Sequence, residues 1–411
     1  MSAPLELALF ALTALSALIW LILIFFRGGF WRDGPYISEH IPAPLDWPRI
    51  VAVIPARNEA ETIGETISSL SSQDYPGAFS IVLVDDQSND ATQEHARAAA
   101  SKDRRLAVVS GQPLPAGWSG KMWAVAQGIA AAEREAPDAK YILLTDADIV
   151  HAPSVLRGLV AKAEQGNLAL VSHMVMLRCA SFWERLLIPA FIFFFKKLYP
   201  FRWINDPTNP TAGAAGGLML VRRDALARAG GIDRIRHEII DDCALARTLK
   251  PEGPIWLGLT KASHSLRRYE HMSDIWNMVT RTAFIQLKQS LWLLAGTVLG
   301  MAIIYLVPPV TVVIGLFTDS LHIALVASVV WLAMIVSYVP TLRLYERPVW
   351  WGLLLPLAGF LYTCMTVASA YRTLAGAGPQ WKDRHYGAQD AGRGDETGRG
   401  TGHETGSAHR G

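Results

Sequence analysis

Charge is scarce in this 411-residue chain: Asp, Glu, Lys and Arg make up 18% of it, against the roughly 25% of an ordinary soluble domain. With 38 basic and 36 acidic side chains the formal charge is only +2, which excludes a nucleic-acid binder built on a basic surface. Cysteine is scarce too. Cys179, Cys243 and Cys364 are odd in number and far apart, which excludes a small disulfide scaffold and fits reduced thiols on the cytoplasmic side. No repeat of solenoid type is present. Residues 387–411 lack Val, Ile, Leu, Met and aromatics and contain eight glycines, so they are expected to be disordered. What the chain has in quantity is apolar residues, 51% of the total, with a mean hydropathy of +0.22.

The first apolar run, Leu5–Phe26, is 22 residues long, carries only Glu6 as a charge and stops at Arg27. At 1.5 Å per residue it can cross about 30 Å of hydrocarbon. It exceeds a usual signal-peptide core, and no A-x-A-like site precedes Arg27, so it reads as a retained anchor. Arg27 and Arg32 after it predict a cytoplasmic following domain, with residues 1–47 as anchor and linker. Hydrophobic density returns in three runs, Leu291–Phe317, His322–Pro340 and Val349–Tyr371, within a transmembrane region over 291–373 that precedes a polar tail, 374–411. Arg343 and Arg347, like Arg267, Arg268, Arg281 and Lys288, belong on the cytoplasmic side. Three simple crossings would send Arg372, Lys382 and Arg384 outside, against that rule. Pro308-Pro309 offers a way out if Leu291–Phe317 is re-entrant or two short segments. The spans hold almost no charge, so no ion path is indicated and a transporter or channel is disfavoured.

The block between, residues 48–270, alternates strand and helix. Arg49–Pro55, Ser80–Val84, Leu106–Val109 and Tyr141–Leu144 are apolar runs without polar alternation, which predicts a parallel sheet covered on both faces. In such sheets ligands bind beyond the carboxyl ends of the strands. Those ends carry Arg57, Asn58, Glu59, Asp85, Asp86, Asp146 and Asp148. Asp146 and Asp148 cannot sit together without a cation, and Mg²⁺ or Mn²⁺ held by one or two carboxylates and by substrate phosphates is the natural one. Helix capping is the bland alternative for both. Asp86 is placed to bind a nucleobase or ribose, with capping left to Ser88, Asn89 or Asp90.

Taken in order, Ile54-Pro55-Ala56-Arg57-Asn58-Glu59, the run Val84–Thr92, Gly120-Lys121 and Thr145-Asp146-Ala147-Asp148 resemble the motifs of the family 2 glycosyltransferases. Ala215–Arg223 resembles that family's acceptor-side glycine motif, and Glu238–Leu245 its acidic base motif. The resemblance covers about residues 48–250. It implies an α/β nucleotide-diphosphosugar transferase domain of GT-A fold, Rossmann-like with a mainly parallel sheet. It further implies donor binding by Pro55, Arg57, Glu59, Asp86, Lys121 and Asp146, and a divalent metal on Asp148 with Asp146 assisting. Asp242 becomes the general base of an inverting single displacement, and Gly216, Gly217, Asp241 and Arg281 lie on the acceptor side. Lys121, taken alone, reads equally well as a solvated lysine in a flexible loop. A plain turn would account for the glycines. The Gln-x-x-Arg-Trp motif of processive members is missing, since Arg281-Thr282-Ala283-Phe284 has no Trp, which counts against a polymer synthase. Trp118–Trp123 and Asp206–Pro210 look most like the hopanoid-associated branch. Trp381–Tyr386 resembles a Trp-Lys-Gly-Arg-x-Tyr element of lipid-modifying relatives, with Asp383 in place of Gly.

Two segments predict a lipid acceptor beside the nucleotide-sugar donor, a UDP-sugar first. Leu186–Phe195, LLIPAFIFFF, is too short to span and reads as an interfacial segment flanked by Lys196-Lys197, with a buried core helix as the alternative. Met272, Ile275, Trp276 and Val279 recur at helical spacing within an interfacial helix over 271–290. A membrane sugar transferase is the expectation; a polyprenyl-phosphate transferase, a polysaccharide synthase and, more distantly, a non-catalytic nucleotide-sugar sensor are the alternatives.

Overall fold

The structure is a computed structural model that describes residues 3–100 and 103–376 and the backbone of two short strands, Gln380–Trp381 and Arg384–His385, which pair antiparallel. The tail from 387, expected to be disordered, lies outside the described residues, as do Lys382, Asp383 and Tyr386.

Eight strands form one sheet: β1 (Ile50–Ala56), β2 (Phe79–Asp85), β3 (Leu106–Ser110), β4 (Tyr141–Thr145), β5 (Ile149–His151), β6 (Leu170–Met176), β7 (Leu218–Arg222) and β8 (Ile255–Ser265). Their order is β3-β2-β1-β4-β7-β6-β8-β5. β1 pairs parallel with β2 and β4, β2 with β3, and β6 with β8. β7 runs against β4 and β6, and β5 against β8, so the GT-A sheet is mixed with two reversed strands. β1 is buried at every position because both faces are covered. Ile50, Ala52 and Ile54 point into a core closed by the helices Ile63–Ser71 and Val155–Gly166. Val51 and Val53 point into a second core closed by the helix Gly120–Glu135. Gly128 lets that helix approach, since a Cβ there would lie 2.3 Å from Val53 Cγ1.

Four helices are long and apolar enough to cross a membrane: Ala3–Phe26, Leu291–Phe317, Leu321–Leu344 and Val349–Leu374. The second is one continuous run, against the expectation that Pro308-Pro309 splits it. A π turn, Ala302–Leu306, directly precedes the prolines and loosens the helix where their N–H donors are missing. The first helix packs antiparallel to the second. Thr13 meets Thr311, Trp20 donates to the Ile304 carbonyl at 3.0 Å, and Glu6 pairs with His322 at 2.9 Å, so Thr318–Ser320 lies at the end of the bundle remote from Arg27. The fourth helix begins and ends at the other extreme. At its start Trp351 packs on Phe182; at its end Ser369 accepts from Phe284 N at 3.0 Å and Arg372 donates to Asn277 and Thr280. Arg372 therefore lies beside the helix Met272–Thr280.

LLIPAFIFFF forms the core of the helix Phe182–Leu198, started by a Ser181/Glu184 capping box. Much of its apolar side is covered by protein. Phe193 packs on Tyr338, and Phe194 on Tyr305 and Tyr362, all from the C-terminal helices. The flanking lysines are engaged too, Lys196 with the Arg32 carbonyl and Lys197 with the Tyr305 hydroxyl. The segment is buried, packed on the C-terminal apolar helices and not within the core of the strand-rich block alone. The second segment is the helix Met272–Thr280, which buries Ile275 and Val279.

Candidate active site

Strand ends assemble the polar floor of one large cavity. β4 delivers Asp146 and, across the turn to β5, Asp148; β1 delivers Pro55 and, beyond it, Glu59. The helix Asp241–Leu249 places both its acidic residues in its first turn, where the N-terminal dipole favours negative charge. Lys121 opens the helix Gly120–Glu135, whose N-cap Ser119 accepts from Met122 N, so it stands on a rigid element and not in a flexible loop.

These groups are already paired. The Lys121 ammonium lies 2.9 Å from Asp146 and 3.1 Å from Asp241, joining the expected donor and acceptor sides. Burial opposes its charge, but the two carboxylates prevail and raise its pKa. For Asp146 burial dominates: together with Asp148 and Asp241 it outweighs Lys121 and shifts the carboxyl upward. Asp242 accepts from Gly216 N at 3.0 Å with one oxygen and from Cys243 N at 2.7 Å with the other. Burial, then the Asp241 charge, pushes its carboxyl up to about 6. An ionised but basic carboxylate facing a cavity is what a general base requires.

Asp148 Oδ2 accepts from Ser265 at 2.9 Å and from Arg267 Nε at 3.1 Å. The same guanidinium reaches Glu59 at 2.9 Å, and the two carboxylates raise the Arg267 pKa against the effect of burial. Among the described residues no group of three or more His, Cys, Asp or Glu converges as a ready metal cage. Two carboxylates of oxygen donors suit a hard divalent ion that completes its shell with water and donor phosphates, so Asp148 and Asp146 fit Mg²⁺ or Mn²⁺ in that mode.

Of the residues singled out by sequence, Pro55, Glu59, Lys121, Asp146, Asp148, Gly216, Gly217, Asp241, Asp242 and Arg281 all line this cavity of about 1110 Å³. Arg57 and Asp86 do not. Arg57 donates to the carbonyls of Asp86 and Gln87, and the Asp86 side chain is fully buried beneath that loop, so both shape the rim between β1 and β2. Asp90 takes the capping role, accepting from Thr92 N at 3.0 Å. Arg267, Ser265, Tyr199 and Gln286 are cavity residues that the sequence did not single out as site residues. From the carboxylates the cavity continues between helices, past Phe191, Phe194, Phe195 and Tyr199 to Met278, Leu287, Met301, Tyr362 and Thr366.

Residues 51–230 match the family model described as Glycosyl transferase family 2. None of the curated proteins matches the chain. Among solved structures, the mannosyltransferase PcManGT from Pyrobaculum calidifontis, in complex with GDP-Man and Mn²⁺, superimposes with a TM-score of 0.50 at 17% identity, over 89% of this chain and 99% of that one. TarS 1–349 from S. aureus in complex with UDP-GlcNAc gives 0.38 at 16% identity, over 57% and 65%. Mannosyl-3-phosphoglycerate synthase from Rubrobacter xylanophilus gives 0.36 at 19%, over 56% and 70%. The match to the family 2 model is thus confined to the strand-rich block, and the chain has a GT-A fold between apolar helices long enough to cross a membrane.

Proposed function

We propose that the protein transfers one sugar from a nucleotide-diphosphate sugar, a UDP-sugar first, to a lipid alcohol. The observation that supports a lipid is the cavity itself, whose polar floor holds Asp146, Asp148 and Asp242 while its far wall is made of Met301 and Tyr362 from the apolar bundle and Phe194 from the helix packed against it. A water-soluble acceptor has no use for that wall. The hopanoid class is the acceptor that the sequence resemblance favours, and the cytoplasm the side on which the nucleotide sugar is met.

On this reading Glu59, Lys121 and Asp146 hold the donor, with Gly216 and Gly217 keeping backbone close to the sugar. A divalent ion on Asp148, assisted by Asp146, supplies Lewis-acid stabilisation of the leaving diphosphate. Asp242 takes the acceptor hydroxyl proton, its orientation fixed by the N–H groups of Gly216 and Cys243. With a single base and no second carboxylate needed as nucleophile, the displacement inverts the anomeric centre. Lys197 favours a second reading. Its ammonium lines the apolar half of the cavity, paired with the Tyr305 hydroxyl and, among the described residues, with no carboxylate at salt-bridge distance, which suits a lipid phosphate as acceptor. Mass spectrometry of lipids from cells with and without the protein, together with turnover of labelled UDP-sugars by wild type and Asp148→Ala, tests the proposal. No donor turnover, with Asp148→Ala identical to wild type, refutes it; a glycosylated lipid phosphate selects the second reading.

A further inference from the structure

Arg267 stands where no sequence motif would place a functional group. Strand pairing plants it there. Ile149 of β5 pairs with Ser265 of β8, Leu266 N donates to the Asp148 carbonyl at 2.8 Å, and Arg267 N accepts the support of Ser265 Oγ at 3.2 Å by donating to it. The side chain then folds over the carboxylates, Nε on Asp148 and a terminal nitrogen on Glu59. Asp148 is only 7% exposed, and its Oδ2 is taken up by Ser265 and Arg267 together. One of its two carboxylate oxygens is thus covered by a guanidinium.

Resting on the donor reading above, we propose that Arg267 is a positioning residue that serves as the built-in counter-ion of Asp148 and makes metal binding there conditional on a nucleoside diphosphate. A bare divalent ion approaching Asp148 displaces a guanidinium that has two carboxylate partners, and then sits beside that displaced positive charge. A metal that arrives with a diphosphate meets neither obstacle. The diphosphate neutralises the ion and offers the freed guanidinium paired oxygens, to which its planar fork donates in bidentate fashion. Metal and nucleotide therefore bind cooperatively, each tightening the other by one common factor. In the absence of donor, Arg267 stays paired with Asp148 and Glu59 and offsets half of their charge, which weakens the hold of an empty site on a stray divalent ion.

Mn²⁺ titrations of the full-length protein in detergent, read by the electron paramagnetic resonance of free Mn²⁺ with and without UDP, test this. In wild type UDP should tighten Mn²⁺ binding at least tenfold. Arg267→Met should bind Mn²⁺ alone at least tenfold more tightly than wild type and lose most of the enhancement by UDP, whereas Arg267→Lys, which keeps the charge, should retain most of it. A purely structural staple between β8 and the loop after β1 would lower the melting temperature of Arg267→Met while leaving Mn²⁺ affinity and its UDP dependence unchanged, and that result overturns the proposal. So does a wild-type Mn²⁺ affinity indifferent to UDP, a measurement that needs no variant. Wild type binding neither Mn²⁺ nor UDP at millimolar concentration would instead sink the donor reading on which the proposal rests.

Discussion

Asp242→Asn should separate chemistry from folding. Burial and the Asp241 charge raise the Asp242 carboxyl from 3.8 to about 6, against the N–H groups of Cys243 and Gly216 and the Lys121 ammonium. A carboxyl whose pKa is higher in the folded state contributes fully below the unfolded value, and that contribution is lost as pH rises through about 6. At about 1.36 kcal/mol for each tenfold change, this difference makes ionised Asp242 disfavour the folded state by about 3 kcal/mol at neutral pH. Asn removes the charge but can accept properly from only one of the two N–H donors, a loss of about 1 kcal/mol. The variant should therefore be about 2 kcal/mol more stable than wild type near pH 7.5, with the advantage gone near pH 4, in thermal unfolding followed across pH in detergent. Turnover should fall by about 10² to 10⁴, and wild-type kcat/KM should climb through pH about 6 to a plateau. A variant less stable than wild type at neutral pH and equally so near pH 4, or one with near-normal turnover, would refute the reasoning.

Gly128→Ala drives a Cβ to 2.3 Å from Val53 and 3.0 Å from Val84, and overpacking of this kind should lower stability by about 1 to 3 kcal/mol in denaturant titrations. Glu184→Ala removes a fully buried carboxylate that accepts from the N–H groups of Ala180, Ser181 and Tyr269, and should destabilise by about 3 kcal/mol or more, lowering the melting temperature at unchanged Mn²⁺ affinity. A reporter fused after Gly411 should lie on the same side of the membrane as one inserted in the catalytic block, because Val349–Leu374 begins and ends beside that block. Protease protection in vesicles reads this directly, and opposite sides would mean that the last helix crosses.

The parallel half of the sheet was legible because β1, β2 and β4 are buried on both faces and so carry no polar alternation. The carboxylates followed from it, since a parallel sheet of this kind gathers its strand ends on one edge. Arg267 was not legible in the same way: it lies 119 residues from Asp148 and 208 from Glu59, and by sequence it reads as a charge flanking the second span. Only the antiparallel pairing of β5 with β8 brings it into the site. Asp86 stands at a strand end as expected, with its side chain buried under the Arg57 loop and outside the lining of the large cavity. LLIPAFIFFF stayed ambiguous because periodicity reports that a face is covered and not what covers it.

The helix Phe182–Leu198 has its aromatic side wedged among Tyr305, Tyr338 and Tyr362, and the chain emerging from it at Tyr199 meets Gln286 at 2.8 Å on the cavity wall. The three tyrosines therefore couple the apolar bundle mechanically to the cavity wall, so on the proposed lipid-acceptor function a change of bilayer thickness should alter turnover, read as a dependence of rate on phosphatidylcholine chain length in reconstituted vesicles.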